Sequence, residues 1–298
     1  MVKIIHSEEA TVIANKIEIV YDTFGDPKNS PMLLIMGLST QMIQWDEAFC
    51  HELAKKGFWV IRYDNRDIGL STKFDEAGIP DLMDLLMRVQ QGEVVEAPYT
   101  LIDMAADAVG LLDALRIESA HIVGASMGGM IAQTIAIHFP ERIRTLTSIM
   151  SSTSNPELPQ PDPEALNILI TPPPSDRAEY IEYSVKIWRF LSGKLPFDEN
   201  YVRKLSARAF DRSFYPVGSA RQLAAILASG SRKEELRNVQ TPTLVIHGDT
   251  DPLVPIEGGK ETAEVIPNAK LLIIEGMGHS IPAEAAPKVL EAIIQHAV

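Results

Sequence analysis

Apolar and polar residues follow two periods along the first half of the chain. Short apolar or β-branched runs, typical of buried strands, alternate with longer stretches that carry apolar residues at helical spacing. The predicted strands are 11–14 and 17–21, which form a hairpin, and then 31–36, 59–63, 121–123 and 145–150. The predicted helices between them are 45–56, 101–115 and 127–139. This alternation predicts an α/β fold with a mostly parallel central sheet flanked by helices.

The alternation stops after residue 150 and resumes after residue 238. The intervening stretch begins rich in proline and serine and then shows helical patterns at 180–191, 199–210 and 220–228. Strand 243–247, helix 257–265, strand 270–275 and helix 284–296 complete the α/β pattern. We therefore predict a core of residues 1–150 and 239–298 and a helical cap, residues 151–238, inserted after the sixth strand. A helical stretch at 81–91 is predicted to contribute to the same cap.

Length, composition and charge limit the classes of partner. The 298 residues fit one large domain with an insertion. The formal net charge is −13 and the basic residues are dispersed, which argues against a nucleic-acid partner. Cys50 is the only cysteine, so an intrachain disulfide is excluded, and its helical context predicts a packed core thiol.

The N-terminal residues lack the apolar segment and cleavage site of a secretory signal, so we expect a cytoplasmic protein. No later segment remains uncharged and apolar for the roughly 18 residues of a membrane span. The sequence leaves monomer and homodimer both open.

A serine motif follows the predicted strand 121–123. Residues 124–128 read Gly-Ala-Ser-Met-Gly, which fits G-x-S-x-G with an apolar strand before it and a helix after it. A serine hydroxyl is a weak nucleophile at neutral pH and needs an exposed position and a base. The sharp strand-to-helix turn provides the exposure, so Ser126 is predicted as a nucleophile. The N-terminus of the following helix would direct its positive dipole end at the site.

The acid and base partners of such a serine follow it in the chain. His279 lies in the segment Gly-Met-Gly-His-Ser directly after the last predicted strand and is the predicted base. Asp249 and Asp251 share the loop after strand 243–247, at a strand end where functional groups of α/β sheets gather. We favour Asp251 as the acid because Pro252 biases it toward an extended conformation, whereas Asp249 is predicted to cap the loop through its own amides.

On these motifs the chain resembles the α/β-hydrolase fold superfamily from end to end. The resembled branch comprises small serine esterases similar to aclacinomycin methylesterase and the proline-iminopeptidase-like hydrolases. Besides the elbow, the resemblance rests on Ile-Met-Gly-Leu at 35–38, on Tyr-Asp-Asn-Arg-Asp-Ile-Gly-Leu-Ser at 63–71, on Asp-Pro at 251–252 and on Gly-His at 278–279.

The resemblance implies an oxyanion hole formed by the backbone N–H groups of Leu38 and Met127. The family more often has His-Gly where this chain has Met36-Gly37, a departure that leaves the backbone donor intact. The chain also lacks the elbow tryptophan usual in proline iminopeptidases. Trp45, Trp188 and Phe190 are candidate residues of an apolar substrate pocket, although core packing explains each of them equally well.

The predicted function is hydrolysis of a small-molecule carboxylic ester through an acyl-enzyme on Ser126, without a metal or an organic cofactor. The same triad also serves lactonases, amidases, C–C hydrolases and cofactor-free perhydrolases, so these alternatives remain open. A non-catalytic ligand-binding protein on a hydrolase scaffold is a further alternative. An aspartate nucleophile, as in epoxide hydrolases and haloalkane dehalogenases, is disfavoured by the serine at the elbow.

Overall fold

The computed structural model describes residues 4–298, and eight strands in this part of the chain form one sheet. The order across the sheet is β1-β2-β4-β3-β5-β6-β7-β8. The pairs from β4–β3 through β7–β8 are parallel, and only β1–β2 and β2–β4 are antiparallel. The strands are β1 Ala10–Ala14, β2 Ile17–Phe24, β3 Ser30–Ile35, β4 Phe58–Tyr63, β5 Ala120–Ala125, β6 Ile143–Ile149, β7 Thr243–Gly248 and β8 Lys270–Ile274.

Helices cover both faces of this sheet, which confirms the predicted α/β class. In the first half they are α1 Glu47–Lys55, α2 Leu82–Gln90, α3 Leu101–Ala114 and α4 Met127–His138. In the second half they are α5 Pro163–Ile170, α6 Arg177–Leu191, α7 Glu199–Arg212, α8 Pro216–Ser229, α9 Lys233–Leu236, α10 Ile256–Val265 and α11 Ala286–Ala297.

The buried core lies in two layers, one on each face of the sheet. Successive side chains of a strand point to opposite faces, so Leu33 and Ile35 pack with α3 and α4, whereas Met32 and Leu34 pack with α1 and α11. Strands buried on both faces read as continuous apolar runs. This explains why the central strands were predictable from apolar runs alone.

Five helices, α5 to α9, lie between β6 and β7, and we call residues 150–242 the β6–β7 insertion. Its predicted helices are present with ends shifted by a few residues. The structure corrects the prediction at two places, since α5 and α9 were not predicted. Helix α5 begins in the proline-rich stretch because Pro163 occupies its first turn and the Asp162 side chain accepts a hydrogen bond from Glu164 N.

The β6–β7 insertion is attached to the core by buried ion pairs. Arg221 of α8 donates two hydrogen bonds of 2.8 Å to Asp67, in the turn after β4, and both side chains are almost completely buried. Arg212 of α7 pairs with Asp64 of the same turn at 2.7 Å. None of the helices within residues 4–298 is both long and apolar enough to cross a bilayer.

Candidate active site

Ser126 occupies a strained turn between β5 and α4. Its φ of 56° and ψ of −123° lie in a region that residues with a side chain rarely adopt, at a cost of about 1 to 3 kcal/mol. The two glycines of the motif explain how the turn closes. A Cβ at Gly124 would overlap the carbonyl of Gly128, and a Cβ at Gly128 would overlap the carbonyl of Ile35 at the end of β3. The motif therefore allows β5, α4 and β3 to approach closely beneath the serine.

The structure brings the three predicted triad residues together. The Nε2 atom of His279 lies 2.9 Å from Ser126 Oγ, and its Nδ1 atom lies 2.7 Å from Asp251 Oδ2. His279 and Asp251 are 6% and 8% exposed, whereas Ser126 is half-buried. The serine hydroxyl is thus the accessible end of a buried hydrogen-bonded chain.

The loop between β8 and α11, residues 275–285, carries His279, and we call it the histidine loop. It is held by the β6–β7 insertion. The amide of His279 donates to the carbonyl of Leu191, at the end of α6, over 2.6 Å, and the amide of Gly278 donates to Ser192 over 3.1 Å. Gly193 has a φ of 76°, and a Cβ there would lie 2.6 Å from the Gly278 nitrogen, so the two segments need a residue without a side chain at this crossing. The insertion therefore fixes the backbone that carries His279.

Two aspartates lie in the loop between β7 and α10, residues 249–255, which we call the acid loop. They have different partners. Asp251 uses Oδ2 for His279, and its Oδ1 accepts hydrogen bonds of 2.9 Å from the amides of Leu253 and Val254. Asp249 Oδ1 instead accepts the amide of Gly276 at 2.6 Å. The predicted loop-capping role of Asp249 through its own amides is thus wrong, because its side chain joins the acid loop to the histidine loop.

His247, a residue that sequence reasoning left without a role, supports the acid loop from beneath. Its side chain is fully buried, and its Nε2 donates to the carbonyl of Val254 at 2.8 Å while lying 3.7 Å from Asp251 Oδ2. Burial lowers the pKa of this imidazole, which keeps it neutral. Only its position at the end of β7, four residues before Asp251, signalled this contact in the sequence.

The two amides named for an oxyanion hole border the serine. Met127 begins α4, and its N–H is one of the free donors of a helix N-terminus. Leu38 follows Gly37, at which a Cβ would lie 3.0 Å from Ser126 Cβ and 3.5 Å from Ser126 Oγ. Neither amide donates a hydrogen bond to another group of residues 4–298. Both remain available to a ligand at Ser126.

The three candidate pocket residues lie in different places. Trp45 is 2% exposed and packs against Phe49 in the core, with ring centroids 5.6 Å apart. Trp188 and Phe190 are half-buried on the last turn of α6, directly before the segment that contacts the histidine loop. Their contribution to a substrate pocket stays a prediction.

Arg66 and Asp67 hold the turn after β4. Arg66 donates to Asp107 of α3 at 2.6 and 2.7 Å. Asp67 accepts from Arg221 and from the hydroxyl of Tyr99, the latter at 2.7 Å.

Among residues 4–298, no group of three or more His, Cys, Asp or Glu side chains is arranged to bind a metal ion.

Comparison with known proteins agrees with this architecture. Residues 30–286 match the family model described as alpha/beta hydrolase fold. Rhodomycin D methylesterase of Streptomyces peucetius is 30% identical over 95% of both chains, and that of Streptomyces sp. (strain C5) is 29% identical over 96% of both. The crystal structure of the enol-lactonase from Burkholderia xenovorans LB400 superimposes with a TM-score of 0.73 at 22% identity, covering 96% of this chain and 99% of the lactonase. The chain therefore belongs to the α/β-hydrolase fold family.

Proposed function

We propose that the protein is a serine hydrolase that cleaves a small-molecule carboxylic ester through an acyl-enzyme on Ser126. The observation that carries the proposal is the continuous chain from Ser126 Oγ to His279 Nε2 at 2.9 Å and from His279 Nδ1 to Asp251 Oδ2 at 2.7 Å. The similarity to two enzymes called rhodomycin D methylesterase, over nearly the full length of each, supports an ester as substrate.

In the proposed mechanism, His279 accepts the Ser126 proton as the oxygen attacks the ester carbonyl. The negative charge that develops on the carbonyl oxygen is stabilised by the amides of Leu38 and Met127, each contributing about 3 kcal/mol. His279 then returns the proton to the leaving alcohol. Water then attacks the acyl carbonyl and loses a proton to the same imidazole. The imidazolium passes this proton to Ser126 Oγ as the bond between that oxygen and the acyl carbon breaks, which releases the carboxylic acid and restores the serine. Asp251 holds the ring with Nε2 free to accept and stabilises the imidazolium that forms.

We further propose that the β6–β7 insertion acts as a cap, with boundaries near residues 151 and 238. Trp188 and Phe190 support this, because they lie on the insertion beside the histidine loop, where they would contact the acyl or alcohol group of a substrate. Trp45 is the weakest of the pocket candidates, since its side chain is enclosed by the core.

The test compares Ser126→Ala with Ser119→Ala. Ser119 lies just before β5 and Ser126 just after it, so the control changes a serine at the opposite end of the same strand. Wild type and Ser119→Ala should hydrolyse p-nitrophenyl acetate and react with a fluorophosphonate. Ser126→Ala should lose both reactions, with turnover reduced at least about 10³-fold. Turnover within tenfold of wild type in Ser126→Ala would contradict the serine mechanism.

The alternative chemistries are separated by extending the assay to four further reactions. These are the hydrolysis of a lactone, of an amide and of a vinylogous 1,5-diketone, and the formation of a peracid, which represent the lactonase, amidase, C–C hydrolase and perhydrolase alternatives. A fluorophosphonate-reactive protein that turns over one of these but no ester would retain the triad and change the substrate class. A wild-type protein that neither turns over any of them nor reacts with the fluorophosphonate would favour a ligand-binding protein.

A further inference from the structure

The peptide that joins Gly37 to Leu38 presents the amide proposed for the oxyanion hole. No peptide bond within residues 4–298 is cis, so the Gly37 carbonyl and the Leu38 N–H point in opposite directions. Whatever holds the carbonyl therefore also fixes the direction of the N–H. The hydroxyl of Thr40 donates to this carbonyl at 3.0 Å.

The peptides on either side are also held by side chains. The buried amide of Asn65 donates to the carbonyl of Met36 at 2.9 Å. The backbone N–H of Ser39, a residue with a φ of 63°, donates to Gln222 Oε1 at 3.0 Å. The three successive peptide groups between residues 36 and 39 are thus each held by one side chain.

Gln222 comes from helix α8 of the β6–β7 insertion and is fully buried. Its Nε2 also donates to the carbonyl of Arg66 at 2.8 Å. One amide side chain therefore bridges the loops that follow β3 and β4, and it uses both its acceptor and its donor. Because Gln222 is buried away from water, the loss of either hydrogen bond would leave a polar group unpaired in the interior.

We infer that Thr40 and Gln222 are positioning residues that direct the Leu38 amide at the oxyanion, and that the insertion thereby contributes to the rate of the chemical step. The inference rests on the proposed function. An oxyanion donor acts only when its N–H is preset at about 2.7 to 3.1 Å from the developing charge, so small rotations of this peptide reduce transition-state binding more than substrate binding. The expected signature is a fall in kcat with little change in KM.

The test uses Thr40→Val and Thr40→Ser as a matched pair. Valine has the shape of threonine without the donor, and serine restores the donor. We expect Thr40→Val to lower kcat on p-nitrophenyl acetate about 10- to 100-fold with KM within about threefold, and Thr40→Ser to stay within about threefold of wild type in both. The affinity for a boronic acid that forms a tetrahedral adduct on the serine should fall in parallel with kcat.

Gln222→Met and Gln41→Met test the contribution of the insertion. Gln41 also joins this loop to the insertion, since its Nε2 donates to the carbonyls of Ala209 and Ser213, yet it holds none of the peptides between 36 and 39. We expect Gln222→Met to lower kcat about tenfold or more and Gln41→Met to lower the Tm while kcat stays within about threefold. Should Gln222→Met fail to fold, the Thr40 pair still decides whether the hold on the Gly37 carbonyl affects kcat.

Several results would overturn the inference. Thr40→Val with wild-type kcat, or equal losses in Thr40→Val and Thr40→Ser, would show that the hydrogen bond to Gly37 does not act on the reaction. Equal losses of kcat in Gln222→Met and Gln41→Met would show that Gln222 only attaches the loop to the insertion and does not orient the Leu38 amide. In each of these cases, a Thr40 or Gln222 variant that still reacts with the fluorophosphonate, and loses this reaction when Ser126→Ala is added, would show that the proposed function stands. A wild-type protein without that reactivity would overturn both.

Discussion

Asp249 and Asp251, two residues apart in the loop after β7, differ in what a change of carboxylate to amide would do. In Asp251→Asn, the amides of Leu253 and Val254 retain an oxygen acceptor, which turns the new NH₂ group toward His279 Nδ1. The imidazole is then held with its proton on Nε2, where it cannot accept the serine proton. We expect kcat on p-nitrophenyl acetate to fall by about 10⁴-fold, with little change in Tm.

Asp249→Asn is the control for this prediction. Its amide oxygen can still accept the Gly276 N–H, so the two loops stay joined and activity should fall less than about tenfold. The reverse order of damage would assign the acid to Asp249. Mild effects from both would direct attention to another carboxylate.

The sequence predicts the triad residues but not the hydrogen bonds that hold their side chains and loops in place. Asp251 was chosen because Pro252 follows it, but the structure shows its position being set by two amides and by His247 beneath the loop. Gln222 lies 183 residues from Ser39, so no local pattern links the two residues. Such long-range polar contacts depend on the packing of helices whose direction one sequence does not give.

Among the elements, strand β5 carries a buried histidine that joins its two neighbouring strands. His121 contacts Ser30 of β3 at 3.2 Å and Thr145 of β6 at 2.9 Å. Burial, reinforced by the charge of Arg144, lowers the pKa of His121 from 6.5 to about 4. The unfolded chain therefore takes up a proton in the pH range between these two values while the folded protein does not, so the stability that the neutral ring contributes is lost as the pH falls below 6.5.

The prediction is that wild type loses more free energy of unfolding between pH 7 and pH 5 than His121→Asn does, by on the order of 1 kcal/mol. Urea unfolding of both proteins at the two pH values measures the difference, and all other titrating groups contribute to both. Equal losses would show that His121 is protonated alike in the folded and unfolded states.

Elements with strong local signals were predicted well, and those without them were not. The segment from β5 to α4 follows from an apolar run, two glycines and a helical period, and it is present as predicted. Helix α5 was missed because its prolines indicate a loop, although Pro163 in a first helical turn is compatible with a helix. Helix α9 spans only Lys233–Leu236, too short for a period to be recognised.

Across the whole molecule, the β6–β7 insertion and the core share a buried boundary, which predicts that they unfold together. Asp67 and Arg221 are 0% and 1% exposed in their side chains and pair across this boundary, with Tyr99 as a third partner. A buried ion pair that loses one member leaves an unpaired charge in the interior, at a cost of about 3 to 5 kcal/mol. The chain offers reporters on both sides, since Trp59 lies on β4 and Trp188 on α6.

In proteins that retain only Trp59 or only Trp188, we expect the two urea unfolding transitions to coincide. Arg221→Met should lower the free energy of unfolding that each tryptophan reports by the same amount, about 3 to 5 kcal/mol. Arg177→Met is the control, because Arg177 pairs with Asp211 within the insertion and both side chains are at least half exposed, so its loss should be below about 1 kcal/mol. An earlier transition at Trp188 alone would show that the insertion unfolds as a separate unit. In that case its bonds to the 36–39 segment and to the histidine loop would break before the core unfolds, and hydrolytic activity would disappear along the Trp188 transition instead of the Trp59 transition.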